Sequence, residues 1–106
     1  MRRRGAWAAM AAGMALLAAG CGRGGGATGA ALFATHCAGC HPDGGNTVNP
    51  KKTLRPADRQ ANGIRTADDV AAFIRNPGQG MPAFPPGVIP PGDARRIGAY
   101  VIAAFR

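Results

Sequence analysis

Residues 36–41 read His-Cys-Ala-Gly-Cys-His, and within them Cys37-Ala38-Gly39-Cys40-His41 has the C-x-x-C-H spacing that attaches haem covalently. Two thiols three positions apart reach the vinyl groups of one macrocycle. The His directly after the second Cys is then held beneath the iron, where one imidazole nitrogen binds it. Two other chemistries use close-set cysteines. A redox C-x-x-C sits on a βαβ unit, and no stretch of this chain alternates as a strand does. A zinc site drawn from His36, Cys37, Cys40 and His41 would ask neighbouring residues to wrap a tetrahedral ion, whereas zinc ligands come as doublets separated by a dozen or so residues. Haem attachment is the reading that remains, and its chemistry is completed outside the cytoplasm.

Working outward from the motif, period-3.6 patterns give helices and the fold class is all-α: about four short helices around one covalent haem. Ala30–Cys37 leads into the motif. Pro56–Asn62 follows, with Pro56 in the first turn and Gly63 at the C′ position. Ala67–Asn76 has Thr66 as N-cap, Asp68 and Asp69 at its positive end and Pro77 to stop it. The last helix runs from about Pro91 to Phe105, with Ile97, Tyr100, Val101 and Ala104 on one stripe. Gly/Pro loops fill 42–53 and 77–90. The apolar residues available for a core include Leu32, Phe33, Val48, Val70, Ile74, Val88, Ile97 and Val101. They are few for a domain of this size, so a large apolar cofactor is expected to complete the interior.

The N-terminus reads as an export signal. Arg2-Arg3-Arg4 precedes an uncharged, mostly apolar stretch over 5–20, too short and too rich in Ala and Gly for a good membrane span. Leu17-Ala18-Ala19-Gly20-Cys21 resembles the lipobox of bacterial lipoproteins, with Ala18 where that pattern prefers Leu. The expected division is a lipoprotein signal over 1–20, a lipidated Cys21 and Gly-rich tether over 21–28, and a single-haem domain over 29–106. Ordinary cleavage near Cys21, a stray Cys or a retained anchor helix are the alternatives. Several acyl chains would anchor the protein firmly in the bacterial envelope, facing the periplasm or in the outer membrane. The formal charge of +8 includes the three signal arginines; without them ten basic residues face five acidic ones, leaving +5. No basic run and little aromatic interleaving accompany that charge, which argues against a nucleic-acid binder. A monomer is expected.

The sixth iron position is approached by elimination. Met1, Met10 and Met14 lie in the signal, so Met81 is the one Met of the mature chain. His36 adjoins Cys37 on the proximal side and cannot reach the opposite haem face. Lys51 and Lys52 are possible ligands, but a protonated amine competes poorly. Met81 sits in a Gly/Pro loop able to lay irregular backbone against a haem, and His/Met ligation raises the reduction potential while filling both axial sites. Core filling is the alternative use of a Met.

These residues resemble the class I cytochromes c, most closely the small photosynthetic "c-six" type and related bacterial single-haem outer-membrane lipoprotein cytochromes. Gly29 and Phe33 lie eight and four residues before Cys37, where the family places a Gly and an aromatic. Ile97 and Tyr100 match the C-terminal partners at the crossing of the terminal helices. Gly44–Pro50 and Lys52-Thr53-Leu54 are similar to the loop that orients the proximal His, and Gly80-Met81-Pro82-Ala83-Phe84 to the axial-Met loop. The resemblance implies electron transfer with other redox proteins, among them other cytochromes, and no enzymatic activity. Two departures stand out: the photosynthetic members are soluble, and the sole Trp here, Trp7, lies in the signal. A small peroxidase or nitrite-reducing enzyme would need a labile Met81 and distal acid/base groups, for which Arg75 and Gln79 are the nearest candidates. A structural or assembly role for the haem is a third reading.

Overall fold

Thr28 opens the first helix by accepting a hydrogen bond at its hydroxyl from the Ala31 N–H, at 3.1 Å. The computed structural model describes residues 26–106, so the signal and Cys21 lie outside the described residues. Helix α1 spans Gly29–His36, α2 Pro56–Ala61, α3 Ala67–Phe73 and α4 Pro91–Ala104. A 3-10 turn at Pro42–Gly44 interrupts what the sequence suggests is plain loop. Pro56 and Pro91 each stand in a first helical turn, where a missing N–H costs nothing. Among the described residues there is no strand.

Helix α3 carries the reciprocal cap that its sequence suggests. The Thr66 side chain accepts from the Asp69 N–H, and the Asp69 carboxylate accepts from the N–H groups of Thr66 and Arg65. Those bonds hold the Asp69 carboxyl below the usual carboxylate range. The helix is shorter than its pattern implies and gives way after Phe73 to tighter turns, with Arg75 N–H on Ala72 O and Asn76 N–H on Phe73 O. Pro77 forces that ending, because the residue before a proline is pushed out of the helical region. Gly63 has φ +74°, the left-handed conformation that a C′ residue requires.

Helix α4 is the plate on which α1 and α3 pack. A Cβ on Gly29 would be driven into the Arg96 carbonyl oxygen, and one on Gly98 into the Ala67 carbonyl oxygen, so both crossings need bare backbone. Phe33, Tyr100 and Phe105 close the α1–α4 junction with tilted and edge-on ring contacts, their centroids 5.2 to 5.9 Å apart. The buried core holds Leu32, Phe33, Cys37, Val70, Ile74, Ile89, Ala94, Ile97 and Val101. Two residues expected there are not. Val48 is 62% exposed and Val88 53% exposed: Val48 lines the mouth of a cleft, and in the Pro85–Ile89 turn it is Ile89 that is buried. Among the described residues no helix is long and apolar enough to cross a membrane.

Candidate haem site

The helical turns run past the end of α1 straight into the motif. Cys37 N–H and Ala38 N–H both donate to Phe33 O, and His41 N–H donates to Cys37 O at 2.9 Å. This continuous turn fixes Cys37, Cys40 and His41 relative to the α1–α4 crossing. Cys37 and His41 are buried, whereas Cys40 is exposed. Burial pushes the Cys37 thiol up to about 11, so near neutral pH it is an uncharged S–H group.

His41 is oriented by backbone. Its Nδ1 lies 2.7 Å from Gly45 O, and a carbonyl can only accept, so Nδ1 carries a proton and the neutral ring presents its lone pair at Nε2. The carbonyl is held in place by a short chain of bonds: Gly45 N–H to Pro42 O, and Leu54 N–H to the neighbouring Gly44 O at 2.7 Å. Gly44 adopts φ +77° and lies against the Phe105 ring, leaving no room for a side chain. Asn46 organises the rest of the loop, its Oδ1 accepting from the Val48 and Asn49 N–H groups and its Nδ2 donating to Lys52 O.

These elements surround an open, mostly apolar cleft. Phe33, Leu54, Ile64, Val70, Ile74, Ile97 and Val101 supply apolar walls; Asn46, Asn49, Lys52, Thr53, Asp58 and Asn62 make one polar side. All four residues singled out from the sequence, Cys37, Cys40, His41 and Met81, line this one cleft. Lys52 lines it too, while Lys51 and His36 do not; His36 packs edge-on against Phe84, with ring centroids 6.0 Å apart. Met81 is half-buried in a loop whose Gly78 and Gly80 have φ +83° and +87°. Apolar walls, two thiols three positions apart in the lining and an imidazole beside them fit a haem attached through two thioethers.

Two arginines matter here that the motifs do not mark. Arg59 is buried and lines the cleft; its Nε donates to Leu54 O and an Nη to Phe105 O. It thereby ties the His41-orienting loop to the C-terminus of α4. Arg75 donates from Nη1 to Phe84 O and Ile89 O, beside the Met81 loop. No sequence signal marks Arg59, because both its burial and its partner carbonyls are set by the fold.

An all-α shell around one thioether-linked haem defines a c-type cytochrome. Residues 24–101 match the family model described as cytochrome c oxidase, cbb3-type, subunit III. Cytochrome c6 of Synechocystis sp. is 43% identical over 76 residues, which cover 72% of this chain and 62% of that protein, less than two thirds of its length. The structure of OmcF, outer membrane cytochrome F from Geobacter sulfurreducens, is 69% identical with a TM-score of 0.73, covering 74% of this chain and 99% of that one. Cytochrome c6 from the diatom Phaeodactylum tricornutum is 32% identical with a TM-score of 0.64, covering 71% and 87%. The chain belongs to the small class I c-type cytochromes related to cytochrome c6 and OmcF, and its cofactor is one covalent haem c.

Proposed function

We propose that the protein carries single electrons through a haem bound by thioethers at Cys37 and Cys40, with His41 and Met81 as axial ligands. The observation that carries this reading is the fixed His41 tautomer. Gly45 O commits Nδ1 to a proton, and the free Nε2 belongs to a cleft that Met81 also lines. When bound, the haem supplies an iron that cycles between ferrous and ferric forms. The chain's own residues do the rest. Cys37 and Cys40 would hold the haem, each through addition of its S–H across one vinyl double bond with no leaving group. The Gly45 carbonyl makes the His41 imidazole a better donor, and the Met81 thioether, a neutral soft ligand, favours ferrous iron and holds the potential high. With His41 and Met81 both holding the iron, no position on it would be open to a substrate. Arg75 is committed to two carbonyls, and Gln79, although it lines the cleft, carries an amide that does not act as an acid or base near neutral pH, so neither serves as a distal acid or base.

The protein is exported, as its relatives among outer-membrane and photosynthetic cytochromes support. Within that setting we assign residues 1–20 to a signal, 21–28 to a lipidated Cys21 and tether, and 29–106 to a monomeric haem domain that exchanges electrons with other redox proteins. Intact mass of protein matured with haem-ligating machinery should show one added haem, and a redox titration should give one reversible one-electron wave. Haem retained covalently after replacing both Cys37 and Cys40 by Ala would refute the attachment. Palmitate labelling that survives Cys21→Ala would refute the anchor.

A further inference from the structure

The segment that carries Met81 is tied down only at its flanks. From Pro77 to Ala83 no residue forms a hydrogen bond with any other described residue. Downstream the ties converge on one place. Phe84 N–H donates to Ile74 O at 2.8 Å, and Arg75 Nη1 donates to Phe84 O at 2.9 Å and to Ile89 O at 2.7 Å. Arg75 is half-buried and follows directly on the end of α3. It has no carboxylate partner, since among the described residues the one ion pair joins Arg96 to Asp93. Its charge is therefore directed at the two carbonyls that bracket Phe84–Ile89, the strongest kind of hydrogen bond available there.

We infer that Arg75 is a positioning residue for the sixth ligand, a strap that ties the Met81 loop to α3 and keeps the sulfur on the iron. The inference rests on Met81 being the axial ligand. A thioether binds weakly, so its occupancy depends on how little freedom the loop regains when the sulfur lets go. With the strap in place, the loop stays poised and the sulfur rebinds. Without it, the seven residues 77–83 sample many conformations, and the ligand-free state gains population. An external ligand for ferric iron binds in proportion to that population.

The ferric holoprotein titrated with imidazole tests this. Arg75→Gln should bind imidazole about 10- to 100-fold more tightly than wild type, the scale of one charge-assisted bond lost, since the Gln amide can still donate to one of the two carbonyls. It should keep the near-infrared sulfur-to-iron band when imidazole is absent. Arg75→Lys, which retains the charge, should fall between. Leu32→Ala removes packing from α1 outside the cleft and should lower thermal stability while leaving imidazole affinity unchanged. Arg75→Gln binding imidazole as wild type does, or Leu32→Ala tightening imidazole binding equally, would overturn the inference while leaving Met81 ligation intact. A ferric wild type without the near-infrared band would overturn both, and the wild-type spectrum alone tells that failure from the first.

Discussion

Replacing Gly29 by Ala pits two effects of known sign against each other. Helix propensity favours Ala over Gly by about 0.5–1 kcal/mol. Against that, the new methyl would lie inside contact distance of the Arg96 carbonyl oxygen and 2.9 Å from the Tyr100 Cβ, both on α4. Neither obstacle is the loose end of a flexible side chain, so α1 itself must shift and the Phe33–Tyr100 contact at 5.2 Å must open. Overpacking of this kind costs roughly 1–3 kcal/mol, with about 0.5–1.5 kcal/mol more for a disturbed aromatic pair. The clash outweighs the propensity, and the net loss should be about 1–3 kcal/mol. For a domain this small that lowers Tm by roughly 4–20 °C. Gly92→Ala is the matched control. It lies in the first turn of α4, where the nearest atom to a new Cβ is the flexible Arg96 guanidinium at 3.8 Å, so Tm should hold or rise. Thermal melts of the holoprotein by far-ultraviolet circular dichroism decide it. Equal stability of the two variants would refute the close crossing of α1 and α4.

Three further outcomes are expected. Arg59→Met should lower stability by about 2–4 kcal/mol, since the Leu54 and Phe105 carbonyls lose charged donors; an unchanged denaturant midpoint would contradict the clasp. Asp58 accepts from the Thr53 N–H and hydroxyl, which hold its carboxyl below the ordinary 3.8. Its contribution is present above that value and lost as pH falls through the folded one, so the Tm of Asp58→Asn should fall less than that of wild type on acidification below about pH 4. Chain matured without haem should show much reduced helicity, because the described core is small and the cleft it surrounds is large; a cooperative melt of the haem-free chain would contradict this.

The parts legible in the sequence are those governed by local chemistry. The C-x-x-C-H spacing, the Thr66/Asp69 cap, Pro56 in a first turn and Gly63 at a helix end each act within a few residues, and each is where its chemistry puts it. The α1–α4 crossing was legible through family resemblance, from Gly29 and Tyr100. What escaped reading acts across the fold. Arg59 reaches a carbonyl 46 positions away, and Arg75 reaches two, 9 and 14 positions on. Backbone carbonyls are the same at every residue, so no pattern in the chain marks these as the partners. Val88 looks like core by hydropathy alone, but loop geometry decides which of two neighbouring apolar residues is covered, and Ile89 takes the buried place, while Val48 lines the cleft instead of the protein core. Pro77 as the stop was legible, but the tightening of the chain already after Phe73, three residues before Asn76, was not.

Near-infrared absorption of the ferric holoprotein, recorded for wild type and Met81→Ala, tests the central claim most directly. His41 and Met81 line one cleft, and as the proposed ligands they would take the two axial positions of the iron. Wild type should show the weak sulfur-to-iron band; Met81→Ala should lose it, drop in potential and admit azide to the ferric or carbon monoxide to the ferrous iron, with the thioethers intact. Met81→His should lack the band, stay six-coordinate and also drop in potential, because imidazole stabilises ferric iron better than a thioether does. A wild type without the band, or a Met81→Ala protein with unchanged potential, would contradict the account and leave Met81 as core filler beside an iron ligated by Lys52, Lys51 or water.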